Sequence, residues 1–312
     1  FCIVNDVIGS GADYFNRATS RRWEEAGEMD HHIAGTYQAL AEGKEEEVLR
    51  RCTEGQTRFG FGMGTEEYWM LRGWIQHDEH IACYTKVLQI CPHHAWALVA
   101  LATIRPSAER ARAIQECSRA IEINPRFTEA YAARGLLHHD SKEFAKAIED
   151  YRQGIKLDPT LDYLYINCAS ARAALGDHTG AIQDCTEAIR LQPQATEAYF
   201  NRGIARWFLK DFEGALRDFE DALSIHPGDP DVLVYRGMVR CTLGEPESGL
   251  ADFREAARLA PRNVFAHYNI GWALMAQGDF DGAITSFTEA IAVDPNYYRA
   301  YLNRGGLRLE QK

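Results

Sequence analysis

Prolines recur at a fixed interval of 34 residues between positions 125 and 295, and this period constrains the fold more than any other feature of the sequence. They are Pro125, Pro159, Pro193, Pro227, Pro261 and Pro295. A fixed period in this range is typical of stacked-repeat proteins, whose repeats bury apolar surface against their neighbours. Because proline lacks an amide hydrogen and restricts the residue before it, we expect each one to end a helix.

Within residues 128–159, which form one unit, apolar positions follow a helical spacing and small residues recur at fixed places. One set of small residues is Gly135, Ala169, Gly203, Gly237 and Gly271. Small residues let two helices approach closely, so each unit is predicted to be a pair of antiparallel helices. The predicted turns between them are Gly176-Asp177, Lys210-Asp211, Gly244-Glu245 and Gly278-Asp279.

This pattern resembles the tetratricopeptide repeat. The residues that carry the resemblance are Tyr199, Gly203, Ala215, Phe219, Ala222 and Pro227, and the pattern is repeated in five units in register. The resemblance implies an all-α, right-handed α-solenoid of helix-turn-helix repeats with a concave face that binds peptides or proteins. It identifies no catalytic residue and no cofactor.

The period also predicts the organisation of the chain. Residues 1–65 are predicted to be a divergent helical segment, and residues 66–127 to hold two irregular or shortened repeats. Five regular repeats follow at 128–297, and residues 298–312 form the first helix of an incomplete repeat. A Gly-rich stretch at 59–65 lacks the Lys-Ser/Thr of a phosphate-binding loop and is interpreted as a connector.

Charge and hydropathy exclude several classes of function. With 34 basic and 45 acidic residues the net charge is −11, which argues against nucleic acid as a partner. No apolar run approaches the roughly 20 residues that span a bilayer, and the longest, 95–104, is predicted to be a buried helix. The scattered cysteines and the absence of glycosylation sites favour a reducing compartment, although secretion or a surface location stays open.

Eight cysteines show no metal-binding or disulfide framework. Cys117 and Cys185 take the place of a core aromatic residue in other units and are predicted to be buried thiols. Cys168 should face Cys185, and reduced thiols are favoured there over a disulfide.

Arginine and aspartate recur sixteen residues apart within the units. This spacing predicts ion pairs between the two helices of one repeat, with a structural role. The expected pairs are Arg134–Asp150, Arg202–Asp218 and Arg236–Asp252.

A second row contains the asparagines Asn167, Asn201, Asn269 and Asn303. The resemblance places this row on the concave groove, as in the repeat domain of O-linked N-acetylglucosamine transferase. Asparagine offers both a donor and an acceptor, so such a row can bind the main chain of a peptide. The alternative is that these amides stabilise the groove itself.

The resemblance also places apolar side chains on the groove. They are Ile166, Phe200, Val234, Tyr268 and Leu302, with Leu136, Ile204, Met238 and Trp272 in a second row and Trp207 and Met275 deeper. Exposed apolar surface of this extent favours occupancy by a peptide or helix, from a partner or another copy of the chain. The alternative is that packing between repeats buries these residues.

Histidines at 77, 80, 93 and 94 lack the further ligands of a zinc site, and we interpret them, like His138 and His139, as solvated surface residues. No nucleophile or paired carboxylate points to catalysis. The sequence therefore predicts a non-catalytic scaffold that binds a protein or peptide. Two alternatives are a structural protein that assembles head-to-tail through its terminal half-repeat and N-terminus, and an enzyme whose catalytic domain lies outside this chain.

Overall fold

The computed structural model describes residues 80–90 and 92–310, which form α-helices, a short 3-10 helix and, within these ranges, no β-strand. The chain divides into two compact units, Phe1–Asp158 and Pro159–Lys312. The predicted N-terminal segment at 1–65, the Gly-rich stretch within it and residues 66–79 lie outside the described residues. The predicted division into four segments stays a prediction.

The described part of unit 1 contains five α-helices. They are α1 His80–Ile90, α2 Ala95–Ile104, α3 Arg110–Ile123, α4 Thr128–Asp140 and α5 Phe144–Leu157, with the 3-10 helix at Ser107–Glu109. Helix α2 is the apolar run of the sequence, and its central residues from Ala97 to Ala102 are buried as predicted. His94 begins this helix by accepting a hydrogen bond from the amide of Ala97 at 3.2 Å, which gives one of the predicted surface histidines a capping role.

The described part of unit 2 contains nine helices. They are α6 Asp162–Ala174, α7 His178–Leu191, α8 Thr196–Phe208, α9 Phe212–Ile225, α10 Pro230–Thr242, α11 Pro246–Leu259, α12 Val264–Ala276, α13 Phe280–Val293 and α14 Tyr298–Glu310. Each helix packs against the next, and the first helices of successive repeats also contact one another. The periodic prolines each lie two residues after a second helix. The prediction of an all-α solenoid of helix-turn-helix repeats is confirmed.

The residues of the turn between the two helices of a repeat both end the first helix and begin the second. In the repeat of α6 and α7, Gly176 has a positive φ of 82°, and the amide of Asp177 donates to the carbonyl of Arg172 at 2.9 Å. The Asp177 carboxylate then accepts from the amide of Gly180 at 2.9 Å and caps the second helix. Equivalent main-chain hydrogen bonds close the turns at Lys142, Lys210, Gly244 and Gly278.

The core of a repeat forms where a ring of the second helix covers a glycine of the first. A Cβ atom added to Gly203 would lie 2.6 Å from the ring of Phe219, which is fully buried. Gly135 and Gly271 meet Tyr151 and Phe287 in the same way. The small residues of the period are therefore required because the backbone of the first helix touches an aromatic ring.

Candidate partner-binding surface

The first helices of successive repeats in unit 2 contact one another, and the residues predicted to bind a partner are on these helices. The amide of Asn303 in α14 donates to the Tyr268 hydroxyl of α12 at 3.1 Å. The rings of Phe200 in α8 and Tyr235 in α10 meet edge to face, with centroids 5.4 Å apart. We call the surface on which the sequence predicts these residues to lie the first-helix face.

Several apolar residues of the first-helix face are already covered by the chain. Ile166 and Val234 are buried, and Phe200 is half-buried against Phe219 and Tyr235. Neighbouring helices therefore cover much of this row, in agreement with the alternative that packing between repeats buries these residues. Contacts between adjacent repeats cover Ile166 and Val234, and partner binding by these two residues stays a prediction.

Three large apolar side chains of this face stay accessible at its C-terminal end. Phe265 is 54% exposed, Trp272 is 43% exposed and Leu302 is 68% exposed. Phe265 and Trp272 are seven residues apart on α12, so they lie on one side of that helix. Ile204, Trp207, Met238, Tyr268 and Met275 are half-buried.

The four asparagines do not share one environment. Asn269 donates to the carbonyl of Phe265 in its own helix at 2.8 Å, and Asn303 donates to Tyr268. These two amides thus stabilise the face itself. Asn167 and Asn201 are half-buried, and neither side chain hydrogen-bonds to another described residue. Peptide binding by all four residues stays a prediction, and Asn167 and Asn201 are the members that keep their hydrogen-bonding capacity.

The three predicted ion pairs are present. Arg134 donates from Nε and Nη2 to the two oxygens of Asp150 at 2.9 and 2.6 Å. Arg236 does the same to Asp252 at 3.0 and 2.7 Å. In the third pair the Nη2 of Arg202 lies 2.8 Å from Asp218.

In two of these pairs the aspartate also binds a second arginine, which was not predicted from the sequence. Arg206 and Arg240 donate from Nη1 to Asp218 and Asp252 at 2.7 and 2.9 Å. They stand four residues after the first arginine, one helical turn further along the same side. Arg172 fills this place beside Asp184, at 3.1 Å, in the repeat that has Cys168 instead of the first arginine. The i, i+4 spacing of the arginines is the signal that could have revealed this arrangement.

His138 occupies the second-arginine position of the repeat that contains Asp150. It is 8% exposed, and its Nδ1 lies 2.6 Å from Glu143 while its Nε2 lies 4.0 Å from Asp150. The interpretation of His138 as a solvated surface residue is therefore wrong. The helix turns its side chain inward, as it turns Arg206 and Arg240, toward the carboxylate of the second helix.

Burial also sets the chemistry of the ionisable groups in the core. It raises the pKa of Cys117 and of Cys185 to about 12, so both thiols stay protonated and unreactive at neutral pH. Burial raises the pKa of Asp218 as well, against the opposing effect of the hydrogen bond from Arg202. Both cysteines are buried as predicted.

The described residues include no group of three or more metal-ligating side chains. Among the helices within these residues, none combines the length and the apolar character needed to cross a bilayer.

Two kinds of comparison with known proteins, with family profiles and with solved structures, support the repeat fold. One tetratricopeptide repeat profile matches residues 128–161 and 264–297, and a second profile of that description matches residues 169–230. No curated protein sequence matches the chain significantly.

Solved structures share the fold at low identity. A tetratricopeptide repeat protein from Parabacteroides merdae has a TM-score of 0.57 at 14% identity, over 90% of this chain and 98% of its own. The tetratricopeptide protein YrrB has a TM-score of 0.51 at 19% identity, over 62% of this chain and 97% of its own. One chain of the APC/C hetero-tetramer Cut9-Hcn1 has a TM-score of 0.63 at 14% identity, over 95% of this chain and 59% of its own length.

Profile matches in three segments and the 34-residue helix pairs agree, and residues 128–161, 169–230 and 264–297 of the chain are tetratricopeptide repeats.

Proposed function

We propose that the chain is a non-catalytic scaffold for protein–protein interaction that holds a peptide or helix on the first-helix face of unit 2. The observation that carries this proposal is the exposure of Phe265, Trp272 and Leu302 on the adjacent helices α12 and α14. Large aromatic side chains that are accessible beside polar groups are typical anchors of protein interfaces. YrrB, which shares the fold, is described as having an unusual peptide-binding site, and this agrees with a binding role for the fold.

Two regions of the face would make different contributions. The C-terminal end offers apolar anchoring at Phe265, Trp272 and Leu302. The amides of Asn167 and Asn201, further toward the N-terminal end of unit 2, would donate to and accept from the main chain of an extended segment. A partner with apolar side chains and an accessible backbone fits both regions.

The proposal is tested by selecting peptides from a displayed library against the purified chain and measuring their affinity by fluorescence anisotropy. Trp272→Ser combined with Leu302→Ser should weaken binding at least about tenfold, since each removes a large apolar contact. Arg254→Ser, an exposed position on helix α11, is the matched control and should bind as the unaltered chain does. Selected peptides that bind the double variant with unchanged affinity would contradict the proposal.

Head-to-tail self-assembly through the terminal half-repeat is the alternative. It predicts that the sedimentation coefficient of the chain rises with concentration without an upper limit, because such contacts do not close. A monodisperse monomer at high concentration would argue against it.

A further inference from the structure

The first turns of α8, α10 and α12 carry three equivalent residues next to the first-helix face. They are Glu197, Asp231 and Phe265, which stand 34 residues apart and are all exposed. Each lies three residues before a member of the predicted apolar row, so helical geometry places it on the same side of its helix as that row. We call the two carboxylates, Glu197 and Asp231, the acidic pair.

A hydrogen bond connects the acidic pair to the helix that carries the exposed aromatic side chains. The Oδ1 of Asp231 accepts from the Nδ2 of Asn263 at 3.1 Å, and Asn263 begins α12 by accepting from the amide of Ala266. Phe265, which is 54% exposed, follows Asn263 by two residues. Negative charge and accessible apolar surface therefore adjoin at the start of α12.

The arginines of these helices are used elsewhere and do not neutralise the acidic pair. Every arginine of α8 and α10 is bound to a buried aspartate of the second helix in its own repeat; these arginines are Arg202, Arg206, Arg236 and Arg240. Helix α12 contains no acidic residue, lysine or arginine. Within the described residues, no lysine or arginine forms an ion pair with Glu197 or Asp231.

We propose that the segment held on the first-helix face is basic where it lies over α8 and α10 and apolar where it lies over α12. Its lysine or arginine side chains pair with the acidic pair, and its apolar side chains contact Phe265 and Trp272. This inference rests on the proposed function and names the chemistry of the partner.

Charge favours a basic peptide segment over other occupants of the face. Exposed carboxylates repel the phosphate groups of nucleic acids. The chain as a whole has a net charge of −11, so a second copy approaches against charge repulsion. Opposite charges across an interface instead accelerate association, and the gain falls as salt screens them.

The experiment selects peptides on the purified full chain from two displayed libraries that share the same apolar positions. The remaining positions hold lysine and arginine in one library, and glutamine and serine in the other. We expect the basic library to yield binders of at least about tenfold higher affinity. The affinity of a fluorescein-labelled basic peptide, measured by anisotropy, should fall at least about threefold between about 50 mM and about 500 mM NaCl.

Variants of the chain locate the charge that the peptide recognises. Glu197→Gln combined with Asp231→Asn should weaken the basic peptide about tenfold at low salt and remove most of the salt dependence. Glu213→Gln combined with Asp221→Asn, at exposed positions of α9, changes the net charge equally and should leave the affinity within about twofold. A copy of the peptide with glutamine at every basic position should bind the unaltered chain and the first double variant equally. Circular dichroism checks that both variants stay folded.

The outcomes separate this inference from the proposed function. Equal weakening by the two double variants, or an affinity that salt does not change, would overturn the inference, while a loss of binding in Trp272→Ser would still support the proposed function. Two libraries without a binder, or binders that Trp272→Ser does not weaken, would contradict both. A concentration-dependent dimer that the first double variant abolishes would make a second copy the occupant and would also overturn the inference.

Discussion

Replacing Asp218 by serine should destabilise unit 2 strongly, because the carboxylate is the shared partner of two arginines. Asp218 is 1% exposed, and the side chains of Arg202 and Arg206 are 13% and 24% exposed. The substitution leaves two largely buried guanidinium groups without a counter-charge. Removing one partner of a buried ion pair costs about 3–5 kcal/mol. We expect about 3 kcal/mol here, because both guanidinium groups keep some contact with water.

The repeat of α12 and α13 provides the matched control. At the equivalent positions it carries Ile270, Leu274 and Ser286, each of them buried, and so it has no ion pair there. The variant Arg202→Ile, Arg206→Leu, Asp218→Ser copies this arrangement into the repeat of α8 and α9. We expect it to lie within about 1 kcal/mol of the unaltered chain, because replacing a buried ionic group by apolar residues is often neutral. The triple variant also removes the buried carboxylate of Asp218, whose pKa is raised by that burial.

The assay is urea unfolding followed by circular dichroism, combined with hydrogen exchange of the amides in α8 and α9. Exchange is needed because repeat proteins open in parts rather than as a whole. Asp221→Ser, at an exposed position of α9, should change stability by less than about 0.5 kcal/mol. The reasoning is refuted if the triple variant loses as much protection as the single variant, or if Asp218→Ser behaves like Asp221→Ser.

Three further outcomes are expected. Lys210 has a φ of 64°, so Lys210→Gly should raise the free energy of unfolding by about 0.5–1 kcal/mol in a urea titration, and Gly244→Ala at the equivalent turn should lower it. Equal effects of the two substitutions would contradict this. Gly203→Ala should lower the melting temperature, since its Cβ would lie 2.6 Å from the ring of Phe219, whereas Gly305→Ala should leave the melting temperature unchanged or raise it. A lower melting temperature in both variants would show that the space around the Cβ atom is not the cause. Cys185 should resist iodoacetamide at pH 8 and react once urea unfolds the chain, because burial raises its pKa to about 12; rapid labelling of the native chain, read by peptide mass spectrometry, would contradict this.

Local features of the sequence were sufficient to predict the repeat and its ion pairs. A proline ends a helix whatever surrounds it, and a glycine or short turn separates two helices by local backbone preference. The pairs of Arg202 with Asp218 and Arg236 with Asp252 followed from a constant spacing within one helix pair. The i, i+4 arginines that complete them carried the same kind of signal.

Exposure could not be predicted in this way, because it depends on what adjacent repeats place over each side chain. Val234 and Tyr268 occupy equivalent positions 34 residues apart, yet Val234 is buried and Tyr268 is half-buried. His138 lacks a metal-site context in the sequence and is therefore predicted to be a surface histidine, whereas the structure places its side chain toward Asp150.

By itself, the sequence determined the period, the helix pairs and the residues that close each turn, since these depend on interactions between residues close in the chain. Only the tertiary structure decided which apolar and asparagine side chains remain available to a partner. The physical reason is that contacts between repeats determine how deeply each side chain is buried. A periodic sequence keeps the pattern of apolar positions, but the sizes of the side chains at those positions differ from one repeat to the next.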